Sequence, residues 1–469
     1  MTPLDIAYLT AMGLASPWLA ARIRQRGAAN LSAKFTGRVW RPEVEALRNS
    51  SSGAAKALPQ RPHKNFRVWF HGVSVGEIHL LRTVVAAFRK HRPDCEVVIS
   101  STTDTGLTEA RRTFSDLTVI PWPLDFSWAV RRAIREVQPD LIVLGESELW
   151  PGMLMAADAA HVPVVVINGR FSPKSASRYR RIAPIARSLL NRIAMFGMQS
   201  PEYAENLASL GVPQSRIAVT GSIKFDGVEV NRLNPQTNEL RRLFGIKPTD
   251  IVWVAGSTQD PEEAGCIEIY KHLQSVAPNL RLILVPRQKD RFDDVAKLLR
   301  QSGLAFVRRS ELLSFPSVGR QPHELVQAHG ADAPRSGSPI ILVDTIGELR
   351  AVWGLADIAF VGGSLDGQRG GQNMIEPAAY GCAVIFGKHV WNFKAVAEQL
   401  LASGGAKQVA DFQELESSIQ SCLVAEERKS LGQNAQQMVL SQQGATGRTL
   451  EIVDRFLPKR LLDILLQAG

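Results

Sequence analysis

From residue 66 onward, short apolar runs rich in β-branched residues alternate with stretches whose apolar positions recur at helical spacing. A first series reads FRVWFHGV, EVVISST, LTVIPWP, LIVLGES, VPVVVING, IAMFGMQS and IAVTGSI, with amphipathic segments such as Glu77–His91 and Ser175–Asn191 between the runs. Continuous apolar runs suit strands buried on both faces, and strand–helix alternation predicts an open parallel sheet covered by helices on both sides. The rhythm pauses over 227–247, which is polar and lacks a strand signal. It resumes as IVWVAGST, LRLILVPR, AFVRRS, IILVDT, IAFVGGS and AVIFG. The pattern predicts an α/β protein of two Rossmann-like domains facing across a cleft. The boundaries it suggests are 1–30 for a separate N-terminal segment, 31–226 for the first domain, 227–246 for a linker and 247–469 for the second domain. Gly319–Ser338, polar and broken by Pro322, Gly330, Pro334 and Gly337, reads as an exposed insertion with no assigned role.

The N-terminus adds a feature that the alternation does not explain. Ile6 to Ala21 carries no charge and is followed at once by Arg22, Arg24 and Arg26, and the first seventy residues hold eleven Lys/Arg against three Asp/Glu. A run of sixteen uncharged residues with Pro17 inside is short for a spanning helix, which needs about 20. Basic residues precede the apolar run in a signal peptide, whereas here they follow it. The expectation is a membrane anchor that keeps the rest of the chain on the cytoplasmic face beside an anionic lipid surface. The alternative is an amphipathic helix packed on the protein itself. The four cysteines, Cys95, Cys266, Cys382 and Cys422, form no C-x-x-C pair, which argues against a disulfide framework or zinc site and for a reducing compartment. His71, His79 and His389 lack partners at ligand spacing, so no metal is expected. The formal charge of +10 comes without a nucleic-acid motif or aromatic platform, so no nucleic-acid partner is expected.

Ligands bind parallel sheets at the carboxyl ends of the strands, so the strand-to-helix junctions are where chemistry is sought. HGVSVGE places Glu77 in a first helical turn. A carboxylate there can take a proton from a hydroxyl, but Glu is also common at that position because it complements the helix dipole. GESELWP places Glu146 and Glu148 on the same side of an extended chain, to hold hydroxyls or a basic partner. NGRFS offers Arg170, suited either to gripping a carboxylate or phosphate or to pairing with one of those glutamates. In the second series, AGST (Ala255–Thr258) precedes a helix carrying Glu262 and Glu263 and reads as a phosphate cradle. VPRQ offers Arg287, and IILVDTIGEL brings Gly347 and Glu348 to a helix start. VGGSLDGQRGGQNMIEP, with five glycines ahead of Asn373 and Glu376, reads as a loop presenting bare amides to a nucleotide, with Glu376 placed for ribose hydroxyls. Neither a Walker A motif nor a G-x-G-x-x-G in the right context is present, which lowers ATPase and dehydrogenase readings.

Taken in order, HGVSVGE, ESELWP, NGRFS, TGSIKFD, AGST, VPR, DTIGEL, VGGSL, GGQNMIEP and GKHVWNF resemble the Kdo (3-deoxy-D-manno-octulosonic acid) transferases of lipopolysaccharide synthesis, over about residues 66 to 400. The resemblance implies the glycosyltransferase B fold and transfer of Kdo from CMP-Kdo to a lipid A precursor, lipid IVA, with inversion. CMP-Kdo is then the donor substrate and no cofactor is required. Glu77 corresponds to the family's general base, and Glu146 and Glu148 to its acidic pair. Ser74, Gly76 and Arg170 fall on the acceptor or donor-sugar side. Ser257, Thr258, Arg287, Gly347, Glu348, Gly363, Asn373 and Glu376 fall at nucleotide-sugar positions, and Lys224 of TGSIKF is suited to the phosphate or the sugar carboxylate. The resemblance also implies the inner membrane, at its cytoplasmic face.

Gln259, Gln288 and Gln372 stand where the family usually has His, so nucleotide contacts there rest on neutral amides. Two other readings share the same sheets. One is a UDP-sugar transferase or epimerase; the other is a catalytically silent membrane scaffold.

Overall fold

The computed structural model describes residues 2, 5, 6, 8, 10, 30–38, 65–313 and 339–458. Most of the apolar N-terminal run, its basic flank and the Gly319–Ser338 insertion lie outside these residues. The chain forms two compact units, one of 1–226 with 443–469 and one of 227–442.

The first unit is built on seven parallel strands in the order β3-β2-β1-β4-β5-β6-β7. They are β1 (Arg67–His71), β2 (Glu96–Ser101), β3 (Thr118–Pro121), β4 (Leu141–Leu144), β5 (Val164–Gly169), β6 (Met195–Met198) and β7 (Ile217–Val219). Each comes from one of the seven apolar runs. Trp69, Ile142, Val164 and Val166 enter the core on one face, and Val68, Phe70, Val143 and Val165 enter the core on the other. Successive side chains point to opposite faces, so a strand covered on both sides needs an apolar residue at every position. The order turns around between β1 and β4, which makes their carboxyl ends the switch point of the sheet.

The second unit repeats the plan with β8 (Ile251–Thr258), β9 (Leu280–Pro286), β10 (Phe306–Arg308), β11 (Ile340–Leu342), β12 (Ile358–Val361), β13 (Ala383–Gly387) and β14 (Ala406–Val409). Their order is β10-β11-β9-β8-β12-β13-β14, and the direction of winding changes between β8 and β12. Edge strand β14, AKQV, has no continuous apolar run, because its central two residues are not fully buried.

Three expected boundaries are corrected. The N-terminal segment falls within the first unit rather than apart from it: of its described residues, Asp5 is buried and accepts the Ser127 amide and hydroxyl at 2.7 Å each, and the Tyr8 hydroxyl donates to Asp125 at 2.9 Å. Residues 227–246 are part of the second unit rather than a linker. They contain the Pro235–Leu243 helix, whose Asn234 cap accepts from the Thr237 amide at 2.9 Å and which buries Thr237 and Leu240. The polar look of this stretch came from the exposed face of an amphipathic helix. The chain after Gln442 belongs to the first unit, not the second. Its Ala445–Asp454 helix puts Ile452 and Val453 into the same core as Phe88. Arg448 donates to the Thr220 carbonyl at 2.8 Å and His91 meets Asp454 at 2.5 Å.

Candidate functional site

In the first unit, Ser74 stands at the N-cap of the Val75–His91 helix and Glu77 lies in its first turn. Glu77 Oε2 accepts the Val73 amide at 2.8 Å and Oε1 accepts the Ser74 hydroxyl at 3.1 Å. The spacing S-x-x-E is that of a capping box, but the Ser74 side chain caps no amide of the helix and instead bonds Glu77, and these two bonds fix the carboxylate in one orientation. Gly72 makes room for this turn, since a Cβ there would stand 3.2 Å from Glu77 Cβ. Gly76 has a different surrounding: it is exposed, and a Cβ would meet only the Ser74 hydroxyl at 3.9 Å, which leaves the turn open on that side.

Glu146 and Glu148 follow β4, the former half-buried and the latter exposed. Burial raises the pKa of Glu146 above the usual glutamate range, and Glu77 raises it further, while Lys224 and Arg170 hold it down. Glu148 is also raised, by desolvation and then by Glu77 and Glu146. Lys224 keeps solvent contact, yet desolvation lowers its ammonium pKa against the pull of Glu146. The structure therefore brings Ser74, Gly76, Glu77, Glu146, Glu148, Arg170 and Lys224 into one neighbourhood at the carboxyl ends of β1, β4 and β5. Arg170 forms no ion pair with Glu146 or Glu148 within 4.0 Å, although its charge favours the ionised form of Glu146.

Two supporting residues were not singled out in the sequence. Ser147 accepts the Arg170 amide at 2.8 Å and so ties the end of β4 to the end of β5. Asn168, buried and with φ 53°, accepts the Ile223 amide at 3.2 Å through Oδ1 and thereby fixes the short turn that carries Lys224. An Asn ahead of a Gly at a strand end is the readable signal, because Asn tolerates this backbone region. His71 stacks on Trp122 at 3.8 Å between the Ser100 and Thr102 hydroxyls, and burial lowers its pKa to about 3, so it stays a neutral strand-end residue.

In the second unit the expected loop of bare amides is corrected. The amides of Gly363, Ser364 and Leu365 donate to Glu262, at 2.7, 3.0 and 3.2 Å. The reason is a buried carboxylate on the helix after β8, whose own charge needs these donors. Glu348 is likewise engaged, with Arg309 donating to it at 2.8 Å and the Thr345 hydroxyl bonding its other oxygen. Ser257 is buried with φ 57°, and the Thr258 hydroxyl is buried without a partner. Arg287 is exposed, with its amide donating to the Thr258 carbonyl at 2.9 Å. Gly347, φ 94°, faces open space. Asn373 caps the Ile375 amide at 3.0 Å and bonds Glu376, whose pKa burial raises and Arg350 opposes. Gln259 and Gln372 both reach Gly363: their side-chain nitrogens lie 3.1 and 3.3 Å from where a Cβ on it would stand. Among the described residues, no group of His, Cys, Asp and Glu is arranged to hold a metal ion.

Comparison with known proteins adds the following. Residues 42–227 match the family of 3-deoxy-D-manno-octulosonic-acid transferases (kdotransferases). The chain is 31% identical over 397 residues to the 3-deoxy-D-manno-octulosonic acid transferase of Haemophilus influenzae, covering 84% of this chain and 88% of that one. It is also 31% identical over 400 residues to the enzyme of the same name from Bordetella pertussis, covering 83% and 87%. Among solved structures, MurG from Acinetobacter baumannii aligns with a TM-score of 0.52 at 14% identity, covering 83% of this chain and 99% of that one. That likeness concerns the fold alone, which is the glycosyltransferase B fold.

Proposed function

The chain belongs to the Kdo transferase family, and from that premise we propose that it moves Kdo from CMP-Kdo to a glucosamine hydroxyl of a lipid A precursor, with inversion. The observation that carries the reading is the cluster of Glu77, Glu146 and Glu148 with Arg170 and Lys224. Burial and the neighbouring Glu77 charge raise the proton affinity of Glu146 and Glu148, and such a cluster of carboxylates suits a site that handles a proton. Glu77 is the base of choice because its turn fixes it, and each oxygen keeps a lone pair beyond the bond it already accepts. In the step itself the acceptor hydroxyl attacks the anomeric carbon of Kdo. Its proton passes to Glu77, and the bond from sugar to phosphate breaks with its electrons leaving on CMP. Arg170 and Lys224 are suited to the anionic groups of either substrate. The second unit takes the donor, through Ser257, Thr258, Arg287, Gln259, Gln372, Asn373 and Glu376. The reaction uses no further cofactor.

We place the enzyme at the cytoplasmic face of the inner membrane. The basic N-terminus supports this, as do Ile182 and Ile185, 49% and 61% exposed among Arg178, Arg180, Arg181 and Arg187. Among the described residues no helix is long and apolar enough to cross a membrane.

The test is to incubate purified protein with CMP-Kdo and a tetraacylated lipid A precursor and weigh the lipid by mass spectrometry. A mass gain in Kdo units is expected. A protein that leaves the lipid unchanged while binding UDP in preference to CMP would sink the reading in favour of a UDP-sugar enzyme.

A further inference from the structure

The glycine-rich junction of the second unit lies where the winding reverses, between β8 and β12. Sheets of this type hold phosphate there on unpaired amides. Here the amides are taken from inside the protein. Glu262 is 1% exposed, and its Oε2 accepts from Gly363 at 2.7 Å and from Gln259 at 3.1 Å. Its Oε1 accepts from Ser364 at 3.0 Å and Leu365 at 3.2 Å. Four N–H groups from two separate strand-end loops thus converge on one anionic group, as they would on a bound phosphate.

The surroundings are shaped to that carboxylate. At Gly362 a Cβ would stand 2.7 Å from Glu262 Oε2 and 2.8 Å from the Ser257 carbonyl oxygen, so only glycine admits the contact. The loop is fixed on its other side by Ser364, whose hydroxyl donates to Val361 at 2.7 Å and accepts the Gly387 amide at 2.8 Å. Beside the nest, the Thr258 hydroxyl and the Gln259 side-chain oxygen are buried with no partner. Both keep hydrogen-bonding capacity next to the loop, which a ligand group at the rim can take up.

We infer that Glu262 is a positioning residue of the donor site, an internal anion that fills the amide nest and holds the Ser257–Gln259 turn and the Gly362–Leu365 loop in binding shape before nucleotide arrives. The inference rests on the reading of the second unit as the donor domain. A glycine-rich loop loses much conformational freedom when ordered, and a carboxylate built into the chain meets that cost during folding rather than during binding. The donor phosphate, repelled from a nest that already holds a charge, binds through the rim, where Thr258, Gln259 and Gln372 have groups to offer.

The experiment uses the full chain without nucleotide and then with CMP, comparing wild type, Glu262→Gln and Glu262→Ala. Hydrogen exchange reads the amides of 363–365, and calorimetry reads CMP affinity. Glu262→Gln replaces one acceptor with a donor, so those amides are expected to exchange at least about tenfold faster, with CMP bound roughly tenfold more weakly. In Glu262→Ala, formate is expected to restore both, and chloride at equal ionic strength is not. Unchanged protection at 363–365 in Glu262→Gln overturns the inference, and so does lost protection with unchanged CMP affinity. Glu262→Gln decides the matter if the alanine variant does not fold. A wild type that shows the protection but binds no CMP overturns the donor-domain reading and leaves the clamp standing.

Discussion

Glu77, Glu146 and Glu148 in the first unit and Glu262 and Glu348 in the second all lie at carboxyl ends of parallel strands, yet their surroundings differ in kind. Around Glu146 and Glu148 the neighbours are other carboxylates and two cations at a distance, so their ionised forms are under strain. Burial raises the pKa of Glu262 as well, but there four backbone N–H groups act against it, and Glu348 receives a guanidinium and a hydroxyl. Glu146 and Glu148 lack such donors, Glu77 beside them accepts one amide and one hydroxyl, and a carboxylate satisfied as fully as Glu262 is fit to hold a loop still. The same residue type therefore meets different surroundings in the two units, and the proposed chemistry is assigned to the first.

The largest effect should come from Glu77→Gln, which keeps an oxygen to accept the Val73 amide but cannot take a proton. Transfer measured by lipid mass should fall on the order of 10²- to 10⁴-fold, with the melting temperature little changed. A variant that keeps most of its activity would remove Glu77 from the reaction and leave it a helix cap.

Next is Gly362→Ala, which tests the architectural side. Its methyl would stand 2.7 Å from both Glu262 Oε2 and the Thr258 Cα, so denaturant unfolding should show a loss of about 2–3 kcal/mol. Wild-type stability in that variant would mean that the nest yields easily and that the contrast between the units is overdrawn.

Lys224→Met should cut transfer roughly tenfold at neutral pH, a smaller effect because Arg170 remains. It also removes a cation that holds Glu146 down, so the acid limb of the pH–rate profile should move to higher pH. An unmoved limb would show that Lys224 does not act through this cluster.

The smallest effect concerns stability alone. The Glu146 pKa is raised in the folded state, so its contribution is most favourable below the ordinary glutamate value and is lost as pH rises through the raised one. Thermal melts of Glu146→Gln should therefore exceed wild type by a few degrees at neutral pH, and the gap should close on acidification. A gap that widens on acidification would contradict the strain assigned to this carboxylate.

Much of this protein was readable from local pattern. Every apolar run of the first series became a strand, because a strand covered on both faces records its burial at each successive position. The capping turn of Ser74 and Glu77 and the glutamate pair of GESELWP were likewise written over a few neighbouring residues. AKQV hid β14 because an edge strand needs few apolar residues, and the Pro235–Leu243 helix hid in a polar stretch because most of its surface faces water.

The sequence by itself determined two parallel-sheet units, their family and the strand ends at which chemistry gathers. Only the tertiary structure decided that Glu262 reaches across about a hundred residues to fill the amide nest and that Arg309 engages Glu348. It also decided that the C-terminal helix returns to the first unit. The physical reason is that strand periodicity and helix caps are short-range interactions that leave a trace in neighbouring residues. Which donors a buried charge finds depends on chain segments brought together only by folding.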